Sequence, residues 1–168
     1  MGAQIRKRLS SAAPRDGNSY PHLYDAWGFI EKVAPTAFVA GTNTRGDHDG
    51  TNAAYKLFNV TGDVIIRLFG VCTVDLAGAT ATLSVGTTLS TANIIALTTG
   101  TDLDVGDLWH DATPDNNVEA TSVAAERLLV NGADIYETVA TASLTAGNIY
   151  YMCGWYPLSY DGAVEAAV

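Results

Sequence analysis

The sequence predicts an all-β protein, an antiparallel β-sandwich of jelly-roll type preceded by an extended N-terminal arm. Short runs rich in β-branched and aromatic residues recur along the chain and are separated by glycine-containing connections. Hardly any stretch has the periodicity of a helix, so the helical crossovers that a parallel sheet needs are missing. Residues 1–19 contain Pro14 and Gly17 and no periodic apolar pattern, which is typical of an extended arm outside the core.

Eight stretches have the composition of strands, and a single domain over residues 20–168 accommodates all of them. In chain order they are 26–33, 53–60, 63–76, 79–86, 93–97, 126–130, 134–139 and 148–158. Connections such as "TGD" and "VNGAD" are short and contain glycine, as hairpin connections do. Residues 20–33 alone leave the choice between helix and strand open.

The stretch 63–76 alternates in the way that a half-buried strand does. Its first face is wholly apolar and is predicted to meet the core; it carries Val64, Ile66, Leu68, Gly70, Cys72 and Val74. The opposite face is mixed, as on a partly exposed sheet, and carries Ile65, Arg67, Phe69, Val71, Thr73 and Asp75.

The stretch 79–86 predicts a strand with one dry face and one hydroxylated face. Apolar residues at Ala79, Ala81, Leu83 and Val85 alternate with hydroxyl residues at Thr80, Thr82 and Ser84. A hydroxylated face can be open to water or docked against a neighbouring subunit. Simple exposure is the preferred interpretation.

The charge of the chain is unevenly distributed. The arm carries four bases and no acid within residues 1–15, whereas the rest holds five bases and all eighteen acids, a net charge of −13. The bases of the arm are Arg6, Lys7, Arg8 and Arg15. Two interpretations stay open for them: a disordered terminus, and a partner-binding arm that docks on an acidic surface. The overall net charge of −9 argues against binding to nucleic acid.

The two cysteines, Cys72 and Cys153, lie far apart in apolar, strand-like runs. They are not clustered as zinc ligands are, so two buried, reduced thiols are predicted, which suits synthesis in a reducing cytoplasm. No run approaches the roughly 18 apolar residues of a membrane span, and the opening residues lack the apolar core of a secretion signal. We therefore expect no membrane partner.

The polar stretch 44–52 contains two short patterns. One is Arg45-Gly46-Asp47, the tripeptide that integrins recognise, and the other is an Asp47-x-Asp49-Gly50 spacing similar to the start of a calcium loop. An EF-hand loop needs a further acid and a glutamate at its twelfth position, where Phe58 stands. A flexible polar loop is the preferred interpretation.

The stretch 101–115 concentrates acidic residues around Trp109 and His110. Its acids are Asp102, Asp104, Asp107, Asp111 and Asp115. A solvated acidic loop with one aromatic plug is the preferred interpretation, ahead of a divalent cation site and of acid–base catalysis. If the chain binds an ion, this stretch is the first place to look.

Motifs that carry catalysis are missing from the sequence. Phosphate-binding glycine loops, the G-x-S-x-G nucleophile turn and the H-E-x-x-H zinc motif do not occur. We therefore expect no catalytic residues, no cofactor and no metal ligands, and a protein that is not an enzyme.

Two stretches carry a resemblance to a known group of proteins. They are "LFNVTGDVIIRLFGVCT" (57–73), followed by "ATATLSVGTT", and the ending "YYMCGWYPLSYDGAVEAA" (150–167). Together they resemble small β-rich virion structural proteins of tailed bacteriophages, which are commonly associated with the head. The resemblance implies a structural role and brings no catalytic residue with it. The arm and residues 20–50 lie outside it.

These observations predict a bacteriophage virion structural protein, and within that class a capsid decoration or cement protein on the outer head surface. Its expected partners are the major capsid protein and itself, as a homotrimer at a three-fold capsid position. A tail or head-fibre component is one alternative. A carbohydrate-binding β-sandwich module or glycan hydrolase is another, with stacking platforms among Trp109, Tyr20, Tyr24 and Trp155.

Overall fold

A computed structural model of the chain describes residues 28–49, 53–116 and 124–167. These residues form ten strands in two antiparallel sheets that pack face to face, so the predicted all-β sandwich is confirmed. The only helical element within these residues is a single 3₁₀ turn, Gly100–Asp102. Over the same residues no helix is long and apolar enough to cross a membrane. The predicted arm, residues 1–19, lies outside the described part of the chain.

Each sheet has five strands. In spatial order, sheet I consists of β1 (Phe29–Val33), β9 (Ala146–Pro157), β3 (Val64–Ala77) and, one after the other along the far edge of β3, β6 (Leu108–Trp109) and β7 (Arg127–Leu129). Sheet II consists of β10 (Ala163–Ala166), β2 (Ala54–Thr61), β8 (Ile135–Ala140), β4 (Thr82–Thr87) and β5 (Ser90–Thr99).

The path of the chain through the two sheets is that of a jelly roll. The strands β1 to β4 alternate between the two sheets, and β4 and β5 then form a hairpin in sheet II. The short strands β6 and β7 pair one after the other with β3 and together take the place of one strand of sheet I. With these two counted as one strand, the alternation between the sheets continues through β8 and β9. The tenth strand, β10, is an addition beside β2. The jelly-roll topology that the sequence predicts is therefore confirmed.

The core lies between the inward faces of the two sheets, and β3 supplies much of it. The alternation predicted for this strand is confirmed from Val64 to Cys72, where every inward residue is buried. It is wrong at Val74, which is 53% exposed. The pairing of β3 with β9 shifts register between Cys72 and Val74, and such a bulge turns the following side chains away from their regular faces.

The strand β4 differs from the prediction in two places, at its start and at Ser84. The strand begins at Thr82, and Ala79 is exposed in the turn before it. Ser84 is buried, because an irregular segment of β5 lies over it and the carbonyl oxygen of Thr91 accepts the Ser84 hydroxyl at 2.9 Å. Two strands, β6 and β10, were not predicted at all.

Candidate functional site

A buried ion pair occupies the interior of the sandwich. The loop between β1 and β2 places Arg45 there with 4% of its surface exposed. Its Nε donates to Oε1 of Glu137 at 2.9 Å, and its Nη2 donates to the second carboxylate oxygen. The guanidinium also lies 3.8 Å from the centre of the Phe38 ring. Glu137, on β8, is fully buried.

The groups around this pair are held in one protonation state. Burial is the largest single influence on the pKa of Arg45 and lowers it, but the charge of Glu137 and its hydrogen bond, with smaller contributions from Tyr151 and Tyr55, together raise the pKa above its usual value. Burial, with the nearby carboxylate, raises the pKa of Tyr151 well above its usual value, and the Tyr151 hydroxyl donates to Glu137. The cluster is closed to solvent and mutually satisfied. It therefore fixes the loop to the sandwich and offers no group to a ligand.

The burial of Arg45 also determines whether a receptor could reach the Arg45-Gly46-Asp47 tripeptide. Arg45 and Asp47 are each only 4% exposed, so the tripeptide is not presented to a receptor. The interpretation of 44–52 as a flexible polar loop is wrong for residues 45–47, which are buried, whereas Asp49 is exposed; residues 50–52 lie outside the described part.

Beside the ion pair, Asp47, His48 and Asp49 each offer one ligand atom, and these atoms lie within 4.8 Å of one another. The Asp47 carboxylate already accepts the Asn43 N–H at 2.7 Å and the Ser143 hydroxyl at 3.2 Å. The pKa of Asp47 is lower than its usual value, and the hydrogen bond from the Asn43 N–H is the largest cause. The buried Asp47 carboxylate therefore holds its own loop in place through these hydrogen bonds. The fold of the loop accounts for the short distances within this cluster.

The acidic stretch 101–115 is only partly what the sequence predicts. The aromatic plug is confirmed: Trp109 is fully buried, and its Nε1 donates to Thr98 at 2.9 Å. The five aspartates do not gather, and among the described residues they form no group with three ligand atoms close together. Asp107 is buried and accepts the Asp104 N–H at 3.0 Å. The stretch is therefore not the place where the structure brings possible ion ligands together.

The remaining His110 and Asp115 of this stretch form a pair. Nε2 of His110 lies 2.9 Å from the Asp115 carboxylate, and the histidine side chain is only 5% exposed. Such a pair braces the segment after β6 and leaves the imidazole closed to a substrate.

The two tryptophans considered as stacking platforms for sugars are buried as well. Trp109 is 0% and Trp155 is 8% exposed, so neither offers a face to a sugar ring. Tyr20 and Tyr24 lie outside the described residues. Tyr160, which the sequence analysis did not single out, is 98% exposed.

Three connections of the sandwich meet at Asp63, between β2 and β3. The carbonyl oxygen of Asp63 accepts the Leu158 N–H at 2.8 Å, and its carboxylate accepts the Asn131 N–H at 3.0 Å. Its own N–H donates to the Ser159 hydroxyl at 2.8 Å. We call this the Asp63 junction. It ties the β7–β8 and β9–β10 connections to the β2–β3 turn.

The junction also requires a glycine. Gly62 has a φ of +58°, and a Cβ atom there would lie 2.3 Å from Oγ of Ser159. Gly62 belongs to the stretch 57–73 and Ser159 to the stretch 150–167, the two stretches that the sequence analysis singled out together. The fold thus brings those two stretches into direct contact.

Large apolar side chains stand on the segments that the junction joins. Four of them are more than half exposed: Leu128 61%, Val130 51%, Leu158 55% and Tyr160 98%. We call these four the apolar end. Exposed apolar groups on braced loops are typical of a surface that another protein covers. No sequence pattern pointed to this set of residues, because they come from β7, from the connection after it and from the distant β9–β10 connection.

The buried polar groups described above are engaged in contacts within the fold, and four large apolar side chains are exposed close to the Asp63 junction. Comparison of the chain with family models, with curated proteins and with solved structures gives no match.

Proposed function

We propose that this chain is a bacteriophage virion structural protein, a capsid decoration or cement protein that binds the outer head surface and bridges capsid subunits. The observation that carries the proposal is the apolar end, held in place by the Asp63 junction. Asp63, Leu158 and Ser159 of the junction belong to the two stretches that resemble head-associated phage proteins, whereas Asn131 lies outside them. Jelly rolls also recur in viral capsid proteins, which is support by analogy only.

Binding in this role needs surface and no chemistry. Stable protein interfaces bury about 1,200–2,000 Å² in total, and apolar groups on rigid loops bind without first being ordered. The partner is the major capsid protein, and the location is the capsid surface of the virion, reached after synthesis in the host cytoplasm. Self-association into a homotrimer at three-fold positions stays a prediction, as do the absence of enzymatic activity and of nucleic-acid and membrane partners.

The test is co-sedimentation with empty capsids assembled from the major capsid protein encoded in the same genome. The wild-type chain should pellet with the capsids. The double variant Leu158→Ser/Tyr160→Ser should keep its melting temperature and bind at least about tenfold more weakly. The matched control is Val39→Ser/Val105→Ser, because these side chains are 48% and 63% exposed on connections at the other end of the sandwich.

The control variant should bind within about twofold of the wild type. A wild-type chain that stays in the supernatant would overturn the proposed function. Equal binding by both double variants would show that the capsid contact does not lie at the apolar end.

A further inference from the structure

The two sheets have unlike outer faces. Along β3 and β9 alternate residues are buried in the core, and the residues between them point away from it. The outward side chains of sheet II are mostly polar: Lys56, Asn59, Thr61, Thr82, Tyr136 and Thr138. Those of sheet I are mostly apolar: Ile30, Ile65, Phe69, Val71, Tyr150 and Met152. Because the outward face of an antiparallel sheet is polar where it meets water, this apolar outer face of sheet I is typical of a covered surface.

The outer face of sheet I has a depression. Its volume is about 240 Å³, and it is lined by Ile30, Phe69, Met152 and Gly154. Gly154 stands in register between Ile30 of β1 and Arg67 of β3 and has no side chain to fill the space between them. An apolar cavity of about 150 Å³ already holds benzene, so this depression has room for an aromatic side chain.

The chain joins sheet I beside this face. Gly28 bridges to Trp155 at the start of β1 and has a φ of +67°. A Cβ atom at Gly28 would lie 2.8 Å from Cε1 of Tyr156. The Tyr156 ring belongs to the outer face, because its neighbour Trp155 is buried on the inner one. The backbone that enters β1 therefore lies against an outer-face ring.

The segment immediately before Gly28 is residues 20–27, "YPHLYDAW", which lie outside the described part of the chain. Its sequence is rich in apolar and aromatic residues: Tyr20, Pro21, Leu23, Tyr24, Ala26 and Trp27. Its single acid is Asp25, whereas the outer face of sheet I carries the bases Lys32 and Arg67. Arg67 pairs with Glu126 at 2.6 Å, and Lys32 is exposed. The segment thus matches the face in charge as well as in hydrophobicity, which the basic arm, residues 1–19, does not.

We propose that residues 20–27 pack over the outer face of sheet I, with the Trp27 side chain in the depression. Gly154 and Tyr156 are about 7 Å apart along β9, so a side chain as long as that of tryptophan reaches from beside Gly28 to the depression. The attachment at Gly28 gives the segment a high effective concentration at this face, which favours it over a second copy of the chain. The contact does not rest on the proposed function, because it needs no partner.

The first test is acrylamide quenching of tryptophan fluorescence in the full chain. The other two tryptophans, Trp109 and Trp155, are buried, so Trp27 alone decides whether part of the emission is open to the quencher. The wild type should be quenched as weakly as Trp27→Phe. A readily quenched component that Trp27→Phe removes would overturn the proposal. Shielding that is lost on dilution would assign the cover to a second copy and would overturn it too.

The second test places a charge on the face. Ile30→Lys should make Trp27 open to acrylamide and lower the melting temperature by at least about 5 °C, because the segment must either bury the charge or leave the face. Val105→Lys is the matched control, since Val105 is 63% and Ile30 is 39% exposed, and it should change neither quantity. Circular dichroism checks that both variants are folded. An Ile30→Lys chain that behaves like the Val105→Lys chain would show that nothing covers Ile30.

Discussion

Nε of Arg45 lies 2.9 Å from Oε1 of Glu137, although the two residues are 92 positions apart in the chain. The contact fastens the β1–β2 loop to β8 through the middle of the core. Removing one member of a buried pair leaves the other charge without compensation, which is costly in a dry interior.

Glu137→Gln should therefore lower the free energy of unfolding by about 3–5 kcal/mol, measured by urea denaturation. Glu126→Gln makes the same chemical change in the pair with Arg67, where the Glu126 side chain is 56% exposed. That control should cost no more than about 1 kcal/mol. Similar losses in the two variants would show that the buried pair contributes no more than the exposed one.

The core face of β3 should tolerate no charge. Leu68 is 2% exposed, and burying an unpaired carboxylate there costs several kcal/mol, comparable to a domain's whole stability of about 5–15 kcal/mol. We expect Leu68→Asp to prevent folding. Thr82→Asp, on the outer face of β4, should fold. Circular dichroism and thermal melting distinguish the two, and equal, mild effects would mean that the side-chain assignment to the two faces is wrong.

Stability should fall at alkaline pH. Burial raises the pKa of Cys72 to about 11, and burial also raises that of Cys153 well above its usual value. In the unfolded chain both thiols ionise near their ordinary pKa, so the unfolded state loses protons first. Their contribution is complete below about pH 8.5 and is lost as the pH rises towards 11. Urea denaturation at a series of pH values should show this decline, and Cys153→Ala should make it shallower. A free energy of unfolding that rises over this range would contradict the prediction.

Both cysteines should be reduced and slow to react. They are free and buried, and the thiolate is the reactive form. A thiol reagent should label the native protein slowly and the denatured protein quickly. Mass spectrometry of freshly purified protein provides the check, because an intramolecular disulfide would appear as a loss of two hydrogens.

The basic arm should bind the capsid and contribute little to folding. Deleting residues 1–19 removes Arg6, Lys7, Arg8 and Arg15 from an otherwise acidic chain. The melting temperature should stay nearly unchanged, and capsid binding should weaken at least about tenfold, or roughly 1.4 kcal/mol. Added salt should reproduce part of that loss in the full chain by screening. A truncated chain that binds as tightly as the intact one would leave the arm without a role in attachment.

The sequence was a good guide to the sandwich wherever strands are long and alternate cleanly. The strand β3 was predicted almost to the residue, because its apolar face runs without interruption from Val64 to Cys72. β6 was missed because two residues carry no pattern. β10 was missed because "AVEA" is short and contains weak strand formers.

The sequence was a poor guide to the candidate sites, since each depends on contacts between distant parts of the chain. Arg45 sits among polar neighbours, so nothing local marks it as buried. One signal was available: in β8, Glu137 stands between Ile135 and Val139 on the inward face. An acid in such a position implies a buried cation elsewhere, without saying which one. The apolar end gave no comparable signal.

The strand β1 lies at the opposite side of the sandwich from β5, in contact with β10. Gly28, where the described chain begins, bridges to Trp155 near the end of β9, close to the apolar end. The described chain therefore enters sheet I at the same end of the sandwich as the Asp63 junction. A partner that covered the apolar end would also lie over this entry point, so that docking there would hold the first residues of β1 against the last residues of β9.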